Sequence, residues 1–378
     1  MHTHPATLCC TLLLAASSRL AGQFSPADSA RLAKRLDSTV ASFVSSDDFS
    51  GVVLVADHGR VIYRTAVGYA NREWRVPMTA DAVFRIGSTS KQFTAALIMT
   101  LVEEGKLRLD GHISDYLPEY PRPNGDRVTI RQLLSHTSGI PEYVTRDDFF
   151  EKVAPAPSTP DELMDRFSRL PFEFEPGSRW SYSDANYVVL GAILEQASGQ
   201  SYADLLRSRI AMPLGLTTLA VDDDAVVPHK VQGYYRSDSI VRVEPFIHPS
   251  AAFGAGALRL SAKDLLTWDQ SLYGGRIFRD SLTVAQLYQP RIETGTPLGE
   301  YGFGLFIGDQ QLGGKAVRVI QHGGVISGFV TGFWRMPNER RTVIVLSNLH
   351  SGRTPQLVGA LADGLYRELP PVVPPDRH

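Results

Sequence analysis

Residues 84–101 read FRIGSTSKQFTAALIMTL, and the rest of the 378-residue chain is organised around what this stretch brings together. Gly87 permits a tight approach, and Ser88 sits where an N-terminal turn should begin. Phe93, Ala96, Leu97 and Leu101 recur at helical spacing up to a stop at Gly105. Residues three apart share a helical face, so the Ser88 hydroxyl and the Lys91 ammonium can touch. A hydroxyl is a weak nucleophile until a base takes its proton. A lysine becomes that base when desolvation or neighbouring charge lowers its pKa. The helix N-terminus adds backbone N–H groups and a positive dipole end, which suit a developing oxyanion. Ser-x-x-Lys occurs by chance about once or twice in a chain of this size. Of seven lysines, however, only Lys91 has a serine three residues before it, and that serine opens an apolar helix.

Outward from this stretch, composition narrows the classes. The chain is 43% hydrophobic and 21% charged with a net charge of −2, an ordinary globular profile with ample core. It has no basic stripe for nucleic acid and no acidic block. No repeat of 20–50 residues indicates a solenoid or propeller. Residues 1–22 read as an export signal: the apolar run 8–16 is too short to span a bilayer and small residues follow it. Both cysteines, Cys9 and Cys10, fall inside that segment, so the expected mature protein carries no thiol chemistry. A periplasmic or secreted location follows, with no membrane span after residue 22.

Residues 25–44 predict an amphipathic helix with Leu32, Leu36, Val40 and Phe43 on one side. GVVLVADHGRVIYRTAVGYAN then predicts a hairpin turning at His58 and Gly59. Residues 106–260 change character: prolines and short helical patterns such as TIRQLLSH and NYVVLGAILEQASG predominate. Beyond them, residues 301–307, 317–321, 329–336 and 342–347 read as strands and 355–369 as a closing helix. The expected fold is α/β (α+β): one antiparallel sheet built from 23–105 and 261–370, flanked by the N- and C-terminal helices. A mostly helical part, 106–260, is inserted into this single 23–370 domain, and a Pro-rich tail, 371–378, follows. A cleft between the two parts is the natural binding site.

Three short motifs stand in order along this frame: Ser88-Thr89-Ser90-Lys91, Tyr182-Ser183-Asp184, and His322-Gly323-Gly324. With the strings FRIGSTSKQFTA, LLSHTSGIPEY, YSDANYVVLG and HGGVISGF around them, the chain resembles the serine β-lactamase and penicillin-binding-protein superfamily. The resemblance is to its branch of class C β-lactamases, D-alanyl-D-alanine carboxypeptidases and serine esterases, and it spans nearly the whole mature chain. It implies that Ser88 attacks a carbonyl to form an acyl-enzyme and that Lys91 takes or relays the proton. It further implies that Tyr182 passes protons to the leaving group and the deacylating water. An unperturbed tyrosine titrates near 10, so as a base it needs nearby cations, which Lys91 and His322 would supply. The oxyanion hole would be the N–H groups of Ser88 and Val325. Gly323 and Gly324 would leave room for substrate along an edge strand.

Two positions depart from the branch pattern. Asp184 replaces the usual Asn; a carboxylate only accepts hydrogen bonds, and beside Lys91 it forms an ion pair that keeps the lysine charged. That shifts the base role towards Tyr182 and weakens a dedicated β-lactamase reading. His322 replaces a lysine and offers a pH-dependent anchor for a substrate carboxylate. His136, in SHTSG, is expected to tie down a loop, while Tyr143 and Trp180 line the cleft. G-x-S-x-G, phosphate-loop and H-E-x-x-H motifs are absent, and the implied mechanism uses no metal or other cofactor. The expected activity is an exported serine hydrolase acting on an ester or amide, of D-amino-acid peptide, carboxylic ester or β-lactam type. Its partners would be small-molecule or peptide substrates, including cell-wall peptide. The rival is a penicillin-receptor-like sensor that acylates, or binds muropeptides, without turnover.

Overall fold

The structure is a computed structural model that describes residues 25–369, residue 239 excepted; the expected export segment and tail lie outside them. Helix α1 (Pro26–Ser45) starts where its sequence dictates. Ser25 accepts from the Asp28 N–H, the Asp28 carboxylate reaches back to Ser25, and Pro26 occupies the first turn. Strands β1 (Gly51–Asp57) and β2 (Arg60–Val67) form a hairpin whose two turn residues, His58 (φ 50°) and Gly59 (φ 77°), are both left-handed. That backbone matches the right-handed twist of the flanking strands. Helix α2 (Lys91–Glu103) follows and is buried all round from Lys91 to Leu101, which makes it the central helix of the molecule.

The inserted part contributes helix α3 (Asp184–Ser198), ended by Gly199 at φ 69°, among several short helices. Helix α4 (Ala262–Ser271) returns the chain to the sheet. The remaining strands of the main sheet are β3 (Ile292–Thr296), β4 (Gly299–Tyr301), β5 (Phe306–Leu312), β6 (Lys315–Ile326), β7 (Phe329–Met336) and β8 (Arg341–Ser347). Helix α5 (Thr354–Glu368) closes the chain. The strands form one eight-stranded sheet in the order β3-β4-β5-β6-β7-β8-β1-β2, antiparallel throughout, with both chain ends contributing as expected.

Both faces of this sheet are covered, so its central strands are apolar on both sides rather than alternating with polar residues. On β1, Val53 and Val55 join Leu36, Leu361 and Leu365 beneath the terminal helices. Val52 and Leu54 face the other way and pack with Phe93 and Leu97 of α2. Helix α2, which directly follows Ser88, is thereby clamped between the sheet and the inserted part.

Two sequence expectations need correction. Residues 301–307 are not one strand: residues 302–305 turn the chain between β4 and β5, with the Gly302 N–H donating to Leu305 O at 2.8 Å. Gly304 has φ 76°, and a Cβ there would lie 3.0 Å from the Lys91 carbonyl oxygen, so glycine lets this turn press against α2. The expected boundary at 260/261 falls inside the short strand Leu258–Ser261. That strand pairs with Val83–Arg85, the segment leading into Ser88, and with Ala220–Val221. The inserted part, expected to be mostly helical, thus also contributes short strands, one of which pairs with the segment leading into Ser88. Among the described residues no helix is long and apolar enough to cross a membrane.

Candidate active site

The turn Gly87–Ser90 delivers Ser88 to the mouth of a cleft, half-buried, immediately before α2. Lys91, the first residue of α2, has a fully buried side chain. Its Nζ donates to Ser88 Oγ at 3.1 Å, to Asp184 Oδ1 at 2.5 Å and to the Ala255 carbonyl at 2.9 Å. Three acceptors match the three N–H bonds of an ammonium. Asp184 is the first residue of α3, where the helix N-terminus favours a carboxylate. The ion pair expected between Asp184 and Lys91 is therefore present.

Tyr182 lies beside this pair, its ring centroid 4.8 Å from Lys91 Nζ and 4.5 Å from the His136 ring. His136 holds the loop in place: its Nδ1 accepts from the Ser183 N–H at 3.2 Å and from the Asn186 side-chain amide at 3.1 Å. Burial pushes the Tyr182 phenol well above its ordinary value, and the Asp184 charge pushes it further, while the Ser88 hydroxyl pulls weakly the other way. The expected pair of cations lowering Tyr182 is not there. Lys91 is matched by Asp184, and His322 is neutral.

The neutrality of His322 corrects the sequence reading directly. Its ring is buried, its Nδ1 faces the Gly323 carbonyl at 2.6 Å, and its Nε2 meets the Tyr301 hydroxyl at 3.0 Å. Those partners fix the tautomer with the proton on Nδ1. Burial, followed by the charge of Lys91, drops the imidazole to about 3, so it carries no charge across the pH range in which it was expected to anchor a carboxylate. Trp180, Tyr182, Tyr301, Phe306 and His322 instead form one aromatic wall, with ring centroids 4.8–6.4 Å apart.

Strand β6 carries the third motif, and its backbone parity decides which N–H groups are free. The β5–β6 turn at Gly313 and Gly314 and the β6–β7 turn at Ser327 and Gly328 each have two residues with positive φ. Residues flanking such turns exchange hydrogen bonds. Counting from Lys315 assigns the odd-numbered residues of β6 to β5; counting from Ile326 assigns the even-numbered ones to β7. β5 begins at Phe306, opposite Gln321. Beyond Gln321, Gly323 and Val325 consequently turn their N–H and C=O groups towards a side without a strand. β6 is thus an interior strand that becomes an edge only from His322 onward, which corrects the simple edge-strand expectation.

That edge faces the nucleophile. A Cβ on Gly87 (φ 51°) would lie 2.8 Å from Val325 N, so the two backbones approach as closely as glycine allows. The N–H of Val325 and that of Ser88 therefore border the same space. Gly324 has a different reason from the one expected: its Cβ would fall 1.9 Å from Ile86 O, so it makes room for the nucleophile's own segment. Gly323 is exposed, and its Cβ would meet nothing closer than Thr331 O at 3.3 Å.

A cavity of about 260 Å³ opens beside Ser88 and Asp184. Tyr143, Phe149, Ile247 and Val325 give it apolar walls. Trp180 belongs to the aromatic wall rather than to this cavity. Two contributors escaped the sequence reading. The Ala255 carbonyl on Lys91 comes from the small-residue run AAFGAGA, whose short helix packs on α2 and α3. Glu142 accepts the Asp184 backbone N–H on Oε2 at 2.5 Å; the Glu-Tyr after Pro141 was visible as a string but carried no signal for that contact. Among the described residues no three or more His, Cys, Asp or Glu side chains are grouped as metal ligands.

With this geometry in hand, comparison with known proteins is informative. The sequence model of the family described as Beta-lactamase matches residues 36–366. Penicillin-binding protein 4* of Bacillus subtilis (strain 168) is 30% identical over 333 residues, covering 83% of this chain and 71% of that protein. A D-aminopeptidase of Brucella ovis is 30% identical over 300 residues, 79% of this chain. The chain spans only 56% of that relative's length. The crystal structure of D-amino acid amidase from Ochrobactrum anthropi SV3 superimposes with a TM-score of 0.77 at 25% identity, covering 90% of this chain and 98% of that one.

Proposed function

The chain belongs to the beta-lactamase family, and from that premise we propose an exported serine hydrolase that forms an acyl-enzyme on Ser88 and cleaves esters or amides lacking a carboxylate beside the scissile bond. The observation that carries this reading is Lys91 Nζ, placed 3.1 Å from Ser88 Oγ and 2.5 Å from Asp184 Oδ1. As Ser88 Oγ attacks the carbonyl carbon, Lys91 gives one of its protons to the Asp184 carboxylate and takes the Ser88 proton in its place, remaining an ammonium. Charge building on the carbonyl oxygen meets the N–H groups of Ser88 and Val325. Collapse breaks the bond to the leaving group, which takes the phenolic proton of Tyr182. The Lys91–Asp184 pair resupplies that proton, leaving acyl-Ser88. Water then attacks the ester by the same path in reverse, releasing the acid and restoring Ser88.

Tyr182 does not line the apolar cavity, so the leaving group lies along the aromatic wall and the acyl group enters the cavity. On that wall, Lys91 is the cation acting on His322, and it is already paired. Neither neutral His322 nor paired Lys91 offers a substrate carboxylate a free positive charge, which favours simple esters and amino-acid amides over penicillins. The names of the relatives, D-aminopeptidase and D-amino acid amidase, fit amide substrates.

Turnover tests the reading. The purified protein is incubated with a p-nitrophenyl ester, a D-amino acid amide and a fluorescent penicillin, beside Ser88→Ala. Ester or amide hydrolysis that falls at least ~10³-fold in Ser88→Ala supports it. Equal activity in both proteins would remove Ser88, and a lasting penicillin adduct without ester or amide turnover would favour the receptor reading. Residues 1–22 motivate the export proposal; an unprocessed N-terminus on protein expressed in a bacterium would count against it.

A further inference from the structure

Glu142 belongs to none of the three motifs, yet it grips the helix that carries Asp184. Its Oε2 accepts the Asp184 N–H at 2.5 Å. Its Oε1 accepts the N–H groups of Tyr143 at 2.7 Å and Val144 at 3.2 Å. The line of contacts from there is continuous: Glu142 to Asp184, Asp184 to Lys91, Lys91 to Ser88. We propose that Glu142 is a positioning residue for acylation: its carboxylate fixes the first residue of α3 and sets a second negative charge beside Asp184, the group that receives the Ser88 proton through Lys91.

Both effects act in one direction. An ionised Glu142 holds all three N–H groups and keeps a negative charge beside the Asp184–Lys91 pair, which favours the movement of positive charge away from Ser88 during attack. A protonated Glu142 has lost an acceptor site and the charge, so acylation weakens. Asp184 and Tyr182 face it from the 182–184 segment, and Tyr143 from its own; none of these supplies a cation to keep it ionised at low pH. Burial and the Asp184 charge raise Glu142 to about 7, which places its titration where enzymes of this kind are assayed.

The inference rests on the Ser88 acylation reading, and the test separates the two. The rate of Ser88 labelling by a fluorophosphonate probe, together with kcat and KM for a neutral p-nitrophenyl ester, is measured from pH 5 to 9 in the wild type, Glu142→Gln, Glu142→Asp and Ser88→Ala. The wild type is expected to lose labelling rate and kcat as the pH falls through about 7. Glu142→Gln is expected to lack that limb and to run about tenfold slower at pH 8, with KM within about twofold. Glu142→Asp, too short to reach the Asp184 N–H, should be slow but retain a limb. Melting curves confirm that each variant is folded. A Glu142→Gln protein with the wild-type rate and limb overturns the proposal. A change confined to KM also overturns it, since that would make Glu142 a substrate contact. Labelling of wild type and Ser88→Ala alike would instead take away the nucleophile, and this inference with it.

Discussion

Burial sets the charge of the groups around Ser88, and it acts in opposite senses on His322 and Glu142. His322 titrates near 3 in the fold, whereas an unfolded histidine titrates near 6.5. The unfolded chain therefore binds a proton first, and this group's contribution to stability is present above pH 6.5 and lost as the pH falls towards 3. The slope is up to about 1.4 kcal/mol per pH unit. Urea unfolding of His322→Gln between pH 4 and 7 should show a shallower acid loss than the wild type; an unchanged slope would mean that His322 is charged in the fold. Glu142 runs the other way. Raised to about 7 from its ordinary value of 4.5, it stabilises most below pH 4.5 and loses that contribution as the pH rises to 7. Asp184→Asn removes the relay's acceptor and restores an amide, so β-lactam hydrolysis should rise relative to ester hydrolysis. An unchanged ratio of the two kcat/KM values would show that the carboxylate does not set that preference.

Among the elements, strand β6 carries the most function per residue, and its two glycines separate packing from access. Gly324→Ala forces a Cβ into the Ile86 carbonyl, so a stability loss of about 1–3 kcal/mol or more and loss of activity are expected. Gly323→Ala meets one tight contact, Thr331 O at 3.3 Å, which a shift of a few tenths of an ångström relieves, so it should fold with a much smaller stability loss than Gly324→Ala and affect mainly bulky substrates. Thermal melts with paired kcat/KM values check both, and equal behaviour would contradict the assigned parity. This strand also shows what the sequence could and could not tell. The His58 and Gly59 hairpin, α1, α2 and the closing helix were legible because periodicity and turn chemistry are local. The split between β4 and β5 was not, since Gly304 is placed by α2 and Gly302 by the Leu287 and Gln289 carbonyls rather than by the pattern of their own stretch. Ser88, Lys91, Tyr182 and Asp184 were legible as motifs and do meet. The charge of His322 depends on burial, and the grip of Glu142 on Asp184 spans 42 residues; neither leaves a mark in a short window of sequence.

Ion pairs around buried carboxylates pin helix α4 to the sheet and the short strands beside Ser88 to one another. Asp269 of α4 and Arg335 of β7 both have fully buried side chains and bond each other, and Thr342 Oγ1 donates to Asp269 Oδ2 at 2.6 Å. Asp222 similarly gathers Arg85, Arg259 and Lys230 at 3.5, 3.2 and 2.7 Å across the short strands that lead to Ser88. Asp269→Asn strands the Arg335 charge and should cost about 3–5 kcal/mol in urea unfolding, while kcat per folded molecule stays near the wild-type value. A cost below about 1 kcal/mol would show that Arg335 finds another partner. The eight-stranded sheet has one further consequence, for the order of folding. β1 pairs with β8, and Asp57 lies opposite Arg341, 284 residues later. Loop closure on that scale comes late, so the N-terminal hairpin waits unpaired on one side until the chain is nearly complete. Helices can form and dock in any order before then, but the cleft takes its working shape only when β8 slots in beside β1.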